Sequence, residues 1–304
     1  MATDEAAAAP SSDTSARSAH ACSARSVTCA TRGVRVLTIN IFAHHRGWPE
    51  RRRVLAKGLA ALDPDVVVLQ EAIGSDADDQ VVDLLGGAYE VFHQGGREKD
   101  GSGLSVASRW PMTIILDTAV PIGDDRRGVR AGRLGVAEIA APAPLGRVLL
   151  GHHSASFQSG AERDREAQAV SSARIVEYLL AREERHVVLA GDFNATPEAA
   201  SIRFWTGRQS LDGISLQYQD AWEAIHGDAP GHTFTPENGI RSDRWRPHPG
   251  RRIDYIMVRC GDRGSTLDIT ACERVFDEPV DGIWASDHFG VMADLEPAPT
   301  SDQP

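Results

Sequence analysis

Two hydrophobic periods divide the chain. VRVLTINIF (34–42) and DVVVLQEA (65–72) are short and β-branched with almost no polar positions, which predicts buried strands. GLSVASRWPMTII (103–115), GRVLLGHHS (146–154), HVVLAGDFN (186–194), RRIDYIMVRC (251–260) and HFGVMADLE (288–296) read the same way. PERRRVLAKGLAAL (49–62) begins on a Pro suited to a first helical turn and places Val54, Leu55, Leu59 and Leu62 on one face. ERDREAQAVSSARIVEYLLAREE (162–184) repeats that spacing with Val170, Ala173, Val176 and Leu180, so both segments are predicted helices. QGGREKDGSG (94–103) is a Gly-rich loop. Many strands and few long helices predict an α/β protein with two packed sheets and helices outside.

The two ends break this pattern. Residues 1–33 are rich in Ala, Ser and Thr and hold too few apolar residues to offset the entropy of ordering. They are expected to form a disordered tail, residues 297–304 a second flexible one, with a single domain over 34–296. A chain of 304 residues, 41% of them hydrophobic, suffices for a core of that size. The net charge is −11, and the first 33 residues balance three acids against three Arg, so the excess is in the remainder. Such acidity disfavours sequence-independent binding of phosphate backbones, although a local basic groove stays compatible with it. The four cysteines include no CxxC pair, which argues against structural zinc. Cys260 and Cys272 are expected as free thiols of a cytoplasmic, monomeric protein. No charged start followed by an apolar core opens the chain, and no run of about 18 apolar residues follows, so no membrane span is expected.

Chemistry enters at the strand ends. Asn40 closes the first predicted strand and Glu71 the second. His152 and His153 end another, Asp192 and Asn194 the next, Asp254 interrupts RRIDYI, and Asp287 and His288 begin the last. Singly, each has an ordinary explanation, such as a turn or a solvated terminus. A carboxylate inside an apolar strand is the exception, because burying it unpaired is costly. Together they supply the oxygen donors that suit a hard cation and the His–carboxylate pairs that suit proton transfer. In extended chain, Asp192 and Asn194 face one side and Phe193 the other, while Gly191 permits a close approach that a side chain would block.

These segments resemble the endonuclease/exonuclease/phosphatase superfamily. TIN, VVLQE, GLSVASRWPM, GDFNATP, RRIDYIMV and ASDHFGVMADL match its motifs in order, over about 34–295. The histidine strand departs from the usual Thr-His-Leu. Here it reads GHHSASFQ, with His153 in the family's histidine position by register and the following ERDREAQ resembling the family's Arg-x-x-Gln helix start. The resemblance implies a four-layer α/β sandwich, two mixed β-sheets packed face to face with helices on both outer faces. It implies a Mg²⁺- or Mn²⁺-dependent phosphoester hydrolase, most simply a phosphodiesterase in which an activated water attacks in line. Asn40, Glu71 and Asp287 would then hold the metal. His153, Asp192, Asn194, Asp254 and His288 would carry catalysis.

The substrate is the open question. RSDRWRPHPGRR (241–252) offers Arg251, Arg252 and Trp245 to grip phosphate and stack on a base, or is simply a solvated loop; DDRRGVRAGR (124–133) is a second basic cluster. Nucleic acid and a small phosphodiester both fit; a phosphomonoester or a sphingomyelin-like lipid fits less well. A non-catalytic binding module should lack part of the site, and a zinc hydrolase should show HExxH, which is absent.

Overall fold

The computed structural model describes residues 33–120, 132–181, 186–240 and 249–298. Residues 1–32 and 299–304 of the two expected tails, Trp245, and most of the 124–133 cluster lie outside them.

In chain order the elements are β1 (Val34–Asn40), α1 (Trp48–Leu62), β2 (Val66–Ser75), β3 (Asp78–Asp79), α2 (Gln80–Leu85), β4 (Glu90–His93) and β5 (Ser102–Ser108). There follow β6 (Met112–Val120), β7 (Gly132–Ala140), β8 (Arg147–Ser154), α3 (Glu162–Leu180), β9 (His186–Asp192), α4 (Ala200–Trp205) and β10 (Tyr218–Asp220). The chain ends with α5 (Ala221–His226), β11 (Asp254–Gly261), β12 (Gly264–Ser265), β13 (Leu267–Val275) and β14 (Gly290–Pro297). One sheet runs β13-β14-β1-β2-β5-β4, with β3 against β2; the other runs β10-β11-β9-β8-β7-β6, with β12 against β11. Both are mixed: β1–β2 and β8–β9 are parallel, and the other pairings are antiparallel.

Strand alternation builds the layers. Val36, Val68 and Ala293 of the first sheet meet Leu150, Val188 and Ile256 of the second in the inner core. The alternate residues Leu37, Val67 and Leu69 face outward and pack with Leu55, Leu59 and Val81 of α1 and α2. On the opposite side, Leu149, Leu189 and Met257 pack with Ala169, Ala173 and Val176 of α3. The expected four-layer sandwich is therefore present, and central strands such as β1, β2, β8 and β9 are apolar on both faces because both faces are covered.

Residues 103–115, expected as one strand, form parts of two. β5 and β6 belong to different sheets, and the chain crosses between them at Arg109, Trp110 and Pro111, where Pro removes a ladder donor. Cys260 and Cys272 are free thiols, and burial pushes that of Cys272 up to about 12. Among the described residues, no helix is long and apolar enough to cross a membrane.

Candidate active site

One end of the sandwich opens into a cleft of about 930 Å³. Asn40, Glu71, Asp192, Asn194, Asp287 and His288 all line it. Asp254 stands directly behind, fully buried.

Glu71 reaches the cleft by breaking its strand's rhythm. Leu69 and Ala72 both face the outer core, and the pairing of β2 with β5 slips between them. The extra residue is Glu71, held at φ +51°, so a bulge turns outward a side chain that regular pleating would bury under α1. Asn40 Nδ2 donates to Glu71 Oε1 at 3.2 Å, while Asn40 Oδ1 accepts from the amide of Phe42 at 3.0 Å. Although Glu71 opens on the cleft, the protein around it removes enough water to raise its pKa, and neighbouring Asp287 raises it further. Asp287 is likewise raised by burial, against the opposing pull of His288.

Beneath them Arg51 is almost fully buried and donates to the carbonyls of Ile41 (2.7 Å), Ala43 (2.7 Å) and Ala285 (3.0 Å). It thus ties the turn after Asn40 to the segment before Asp287. Burial lowers its pKa to about 10, although Asp287 and Glu71 favour its charge. Ser286 Oγ completes the tie by donating to the Asn40 carbonyl at 2.6 Å.

On the second sheet, Gly191 at φ +144° lets the end of β9 come close to β8. A Cβ there would lie 2.1 Å from the His153 carbonyl oxygen, so no side chain fits. Asp192 then ends the strand and accepts from the Asn194 amide at 2.9 Å. Asn194 is left-handed (φ +53°) and donates from Nδ2 to the Ala155 carbonyl at 3.1 Å. The two side chains share the cleft as expected, with Phe193 in the core, but an Asx turn brings them together rather than continued extended chain.

Asp254 Oδ2 accepts from Thr233 Oγ1 at 2.6 Å and lies 3.0 Å from His288 Nδ1, a contact joining the start of β11 to the segment before β14. Asp254 Oδ1 has no hydrogen-bond partner among the described residues. Burial opposes a charge on His288, but Asp254, Asp192 and Asp287 together outweigh it and raise its pKa to about 10. Asp192 is raised by burial and by Asp254, with His288 pulling the other way. Donor atoms of Asp192, Asp254 and His288 all fall within 4.8 Å of one another, a carboxylate–imidazole cluster that Glu71 and Asp287 influence through their charges.

Of the expected site residues, His153 and Arg252 do not reach the cleft. His153 points under α3, with Nδ1 3.2 Å from Ser172 Oγ and its ring 4.9 Å from that of Phe193. Burial lowers its pKa to about 4. His152 faces the inner core, its Nε2 2.9 Å from Gln70 Nε2. The strand instead delivers Ser154 to the cleft, followed by Ala155 and Ser156. Alternation fixes this outcome, since successive residues of β8 face opposite sides. Arg251 lines the cleft, its guanidinium 5.2 Å from the Phe234 ring. Arg252 turns away into a buried ion pair with Asp220 and lies over Tyr255.

The motifs did not reveal Thr233 or Arg51. Arg51 carried one legible signal: it precedes Leu55 and Leu59 by four and eight residues, on the buried face of α1.

Comparison with known proteins bears on this architecture. No curated protein matches the sequence. Among solved structures, C. elegans TDP2 superposes with a TM-score of 0.67 at 18% identity, over 87% of this chain and 75% of that one. D. rerio TDP2, solved with a single-strand DNA product, gives 0.64 at 20% identity over 87% and 99%. The human Nocturnin catalytic domain, with bound sulfate, gives 0.61 at 17% over 88% and 95%. At such identities the likeness shows the fold. The family model for the Endonuclease/Exonuclease/phosphatase family matches residues 37–288, a span that runs from β1 to the His288 end of the cleft. The chain thus belongs to that family and is a phosphoester hydrolase.

Proposed function

We propose that the protein is a Mg²⁺- or Mn²⁺-dependent phosphodiesterase that cleaves by in-line attack of water. The observation that carries this reading is the meeting, in one cleft, of the Glu71–Asp287 pair with the Asp192–Asp254–His288 cluster. The donors at the first pair are hard oxygens, and both carboxyls have raised pKa values. A divalent cation would offset the cost of burying these two carboxylates, so the residues fit one. Held by Glu71 and Asp287, it would act as a Lewis acid on the phosphoryl group. Asn40 fixes the Glu71 carboxylate and would serve a bound cation indirectly.

The second cluster pairs an imidazole with carboxylates, an arrangement that suits proton handling. Asp192, its pKa raised towards neutrality, orients the attacking water and takes its proton. His288, held charged by Asp254, faces the phosphate as a cation and proton donor. The second amide hydrogen of Asn194 is available to a non-bridging oxygen as charge builds there. Arg251 gives the rim a positive charge; Arg252 and His153 take no part.

A nucleic-acid substrate draws support from the D. rerio TDP2 structure, which carries a single-strand DNA product. The test is a chelated protein assayed on bis-p-nitrophenyl phosphate, single-stranded DNA, plasmid, RNA and inositol phosphates. Activity is expected to return with Mg²⁺ or Mn²⁺ and not with Zn²⁺. Silence across the whole panel refutes the proposal.

A further inference from the structure

Phe157 is 54% exposed and lies on the cleft wall, although a phenyl ring left in water forgoes the gain of burial. Its backbone is not loose. Ser156 donates its amide to Gln168 Oε1 at 3.0 Å, and Gln168 Nε2 donates back to Ser156 Oγ at 2.8 Å, both partners being buried. Arg165 donates to the carbonyls of Ser156 (3.0 Å) and Gln158 (3.1 Å), one residue on each side of Phe157. The same loop is tied to the catalytic strand end: the Ala155 amide donates to the Asp192 carbonyl at 3.3 Å, and Asn194 holds the Ala155 carbonyl. Helix α3 therefore fixes the loop from beneath, while Phe157 stays exposed in the lining of the cleft.

We infer that Phe157 is a stacking platform for a nucleobase carried by the phosphodiester, so that the substrate class is base-bearing. The inference rests on the hydrolase reading of this cleft. The surroundings select the occupant. Ser154, Ser156 and Ser159, from the same segment as Phe157, line the cleft with it, so hydroxyls accompany the ring. A base needs one flat face to stack on and polar groups near its edge, which is what a single ring among serines provides. The cleft, at about 930 Å³, has room for a nucleoside beside the phosphate. Because the loop is held in place before binding, little ordering cost accompanies the stack.

The test compares the dinucleotide TpT with its counterpart lacking both bases, by steady-state hydrolysis with Mg²⁺ and, separately, by calorimetric binding. The wild-type protein is expected to bind TpT about tenfold more tightly than the base-free compound. Phe157→Ala should erase that ratio by raising the KM and Kd for TpT, leaving kcat and the base-free compound nearly unchanged. Phe157→Trp should keep or widen it. The inference is overturned if Phe157→Ala weakens both compounds equally, if it weakens neither, or if the wild type prefers an acyl-bearing phosphodiester over TpT. Should neither compound be cleaved, the hydrolase reading fails on its own account, while the base-dependent Kd still decides whether Phe157 stacks.

Discussion

His153 and His288 are both buried, yet their surroundings give them opposite charge. His153 sits under α3 among Phe193, Trp205 and the Ser172 hydroxyl, with nothing to stabilise a cation, and burial lowers its pKa to about 4. His288 sits at the cleft among Asp254, Asp192 and Asp287, and their charges reverse the effect of burial to give about 10. Burial alone keeps an imidazole neutral, as packing material; burial beside carboxylates keeps it charged, as a reagent. The contrast separates core from site where residue type does not.

The strongest way to break this comparison is to remove the reagent side. Asp192→Ala and His288→Ala should each lower kcat by about 10²–10⁴ while the circular dichroism spectrum stays native. Near-normal hydrolysis by either purified variant would contradict the proton-handling roles of Asp192 and His288.

The packing side makes a prediction about pH. His153 is neutral in the fold below its ordinary pKa of 6.5, so the unfolded chain binds more protons between pH 6.5 and 4. Stability is therefore lost as pH falls through that window, by on the order of 3 kcal/mol at its lower end. His288 has the opposite sign: its raised pKa contributes stability that is complete below 6.5 and disappears as pH rises towards 10. His153→Leu removes only the first contribution. Urea titrations at pH 7 and pH 4.5 should show the variant gaining on the wild type at the lower pH; parallel midpoints would show that His153 is not held neutral.

Smaller effects sharpen the boundary. Asn40→Ala should weaken Mg²⁺ or Mn²⁺ binding by about 10- to 100-fold in calorimetry, since it releases Glu71 without removing a carboxylate. Unchanged affinity would leave Asn40 a purely structural residue. Least of all, Ser172→Ala should cost about 1 kcal/mol of stability and leave kcat and KM alone, because it removes only the partner of His153. A drop in kcat would reconnect the core histidine with catalysis.

Much of this was legible in the chain. Asn40, Glu71, Asp192, Asn194, Asp254, Asp287 and His288 all stand out as polar residues on apolar strands, and the structure brings all seven to one end of the sandwich. His153 was misplaced for a definite reason. β8 is apolar on both faces because a sheet covers one and a helix the other, so no alternation in the sequence shows which of His152 and His153 faces where. The Glu71 bulge was invisible as well, since it depends on pairing with β5. Arg252 looked like its neighbour Arg251 until Asp220, 32 residues earlier in the chain, claimed it. Phe157 has no periodic partner, and its exposure follows from the tertiary bracing of its loop.

The His288–Asp254 contact joins the two sheets, and the groups proposed to act on the phosphoryl centre are divided between them. The inner core is thus a spacer that sets the gauge of the catalytic gap. Substitutions such as Val188→Ala or Val68→Ala, remote from any reacting atom, change the thickness of that spacer. Catalytic rate then becomes a ruler for how closely the two halves of the sandwich are seated.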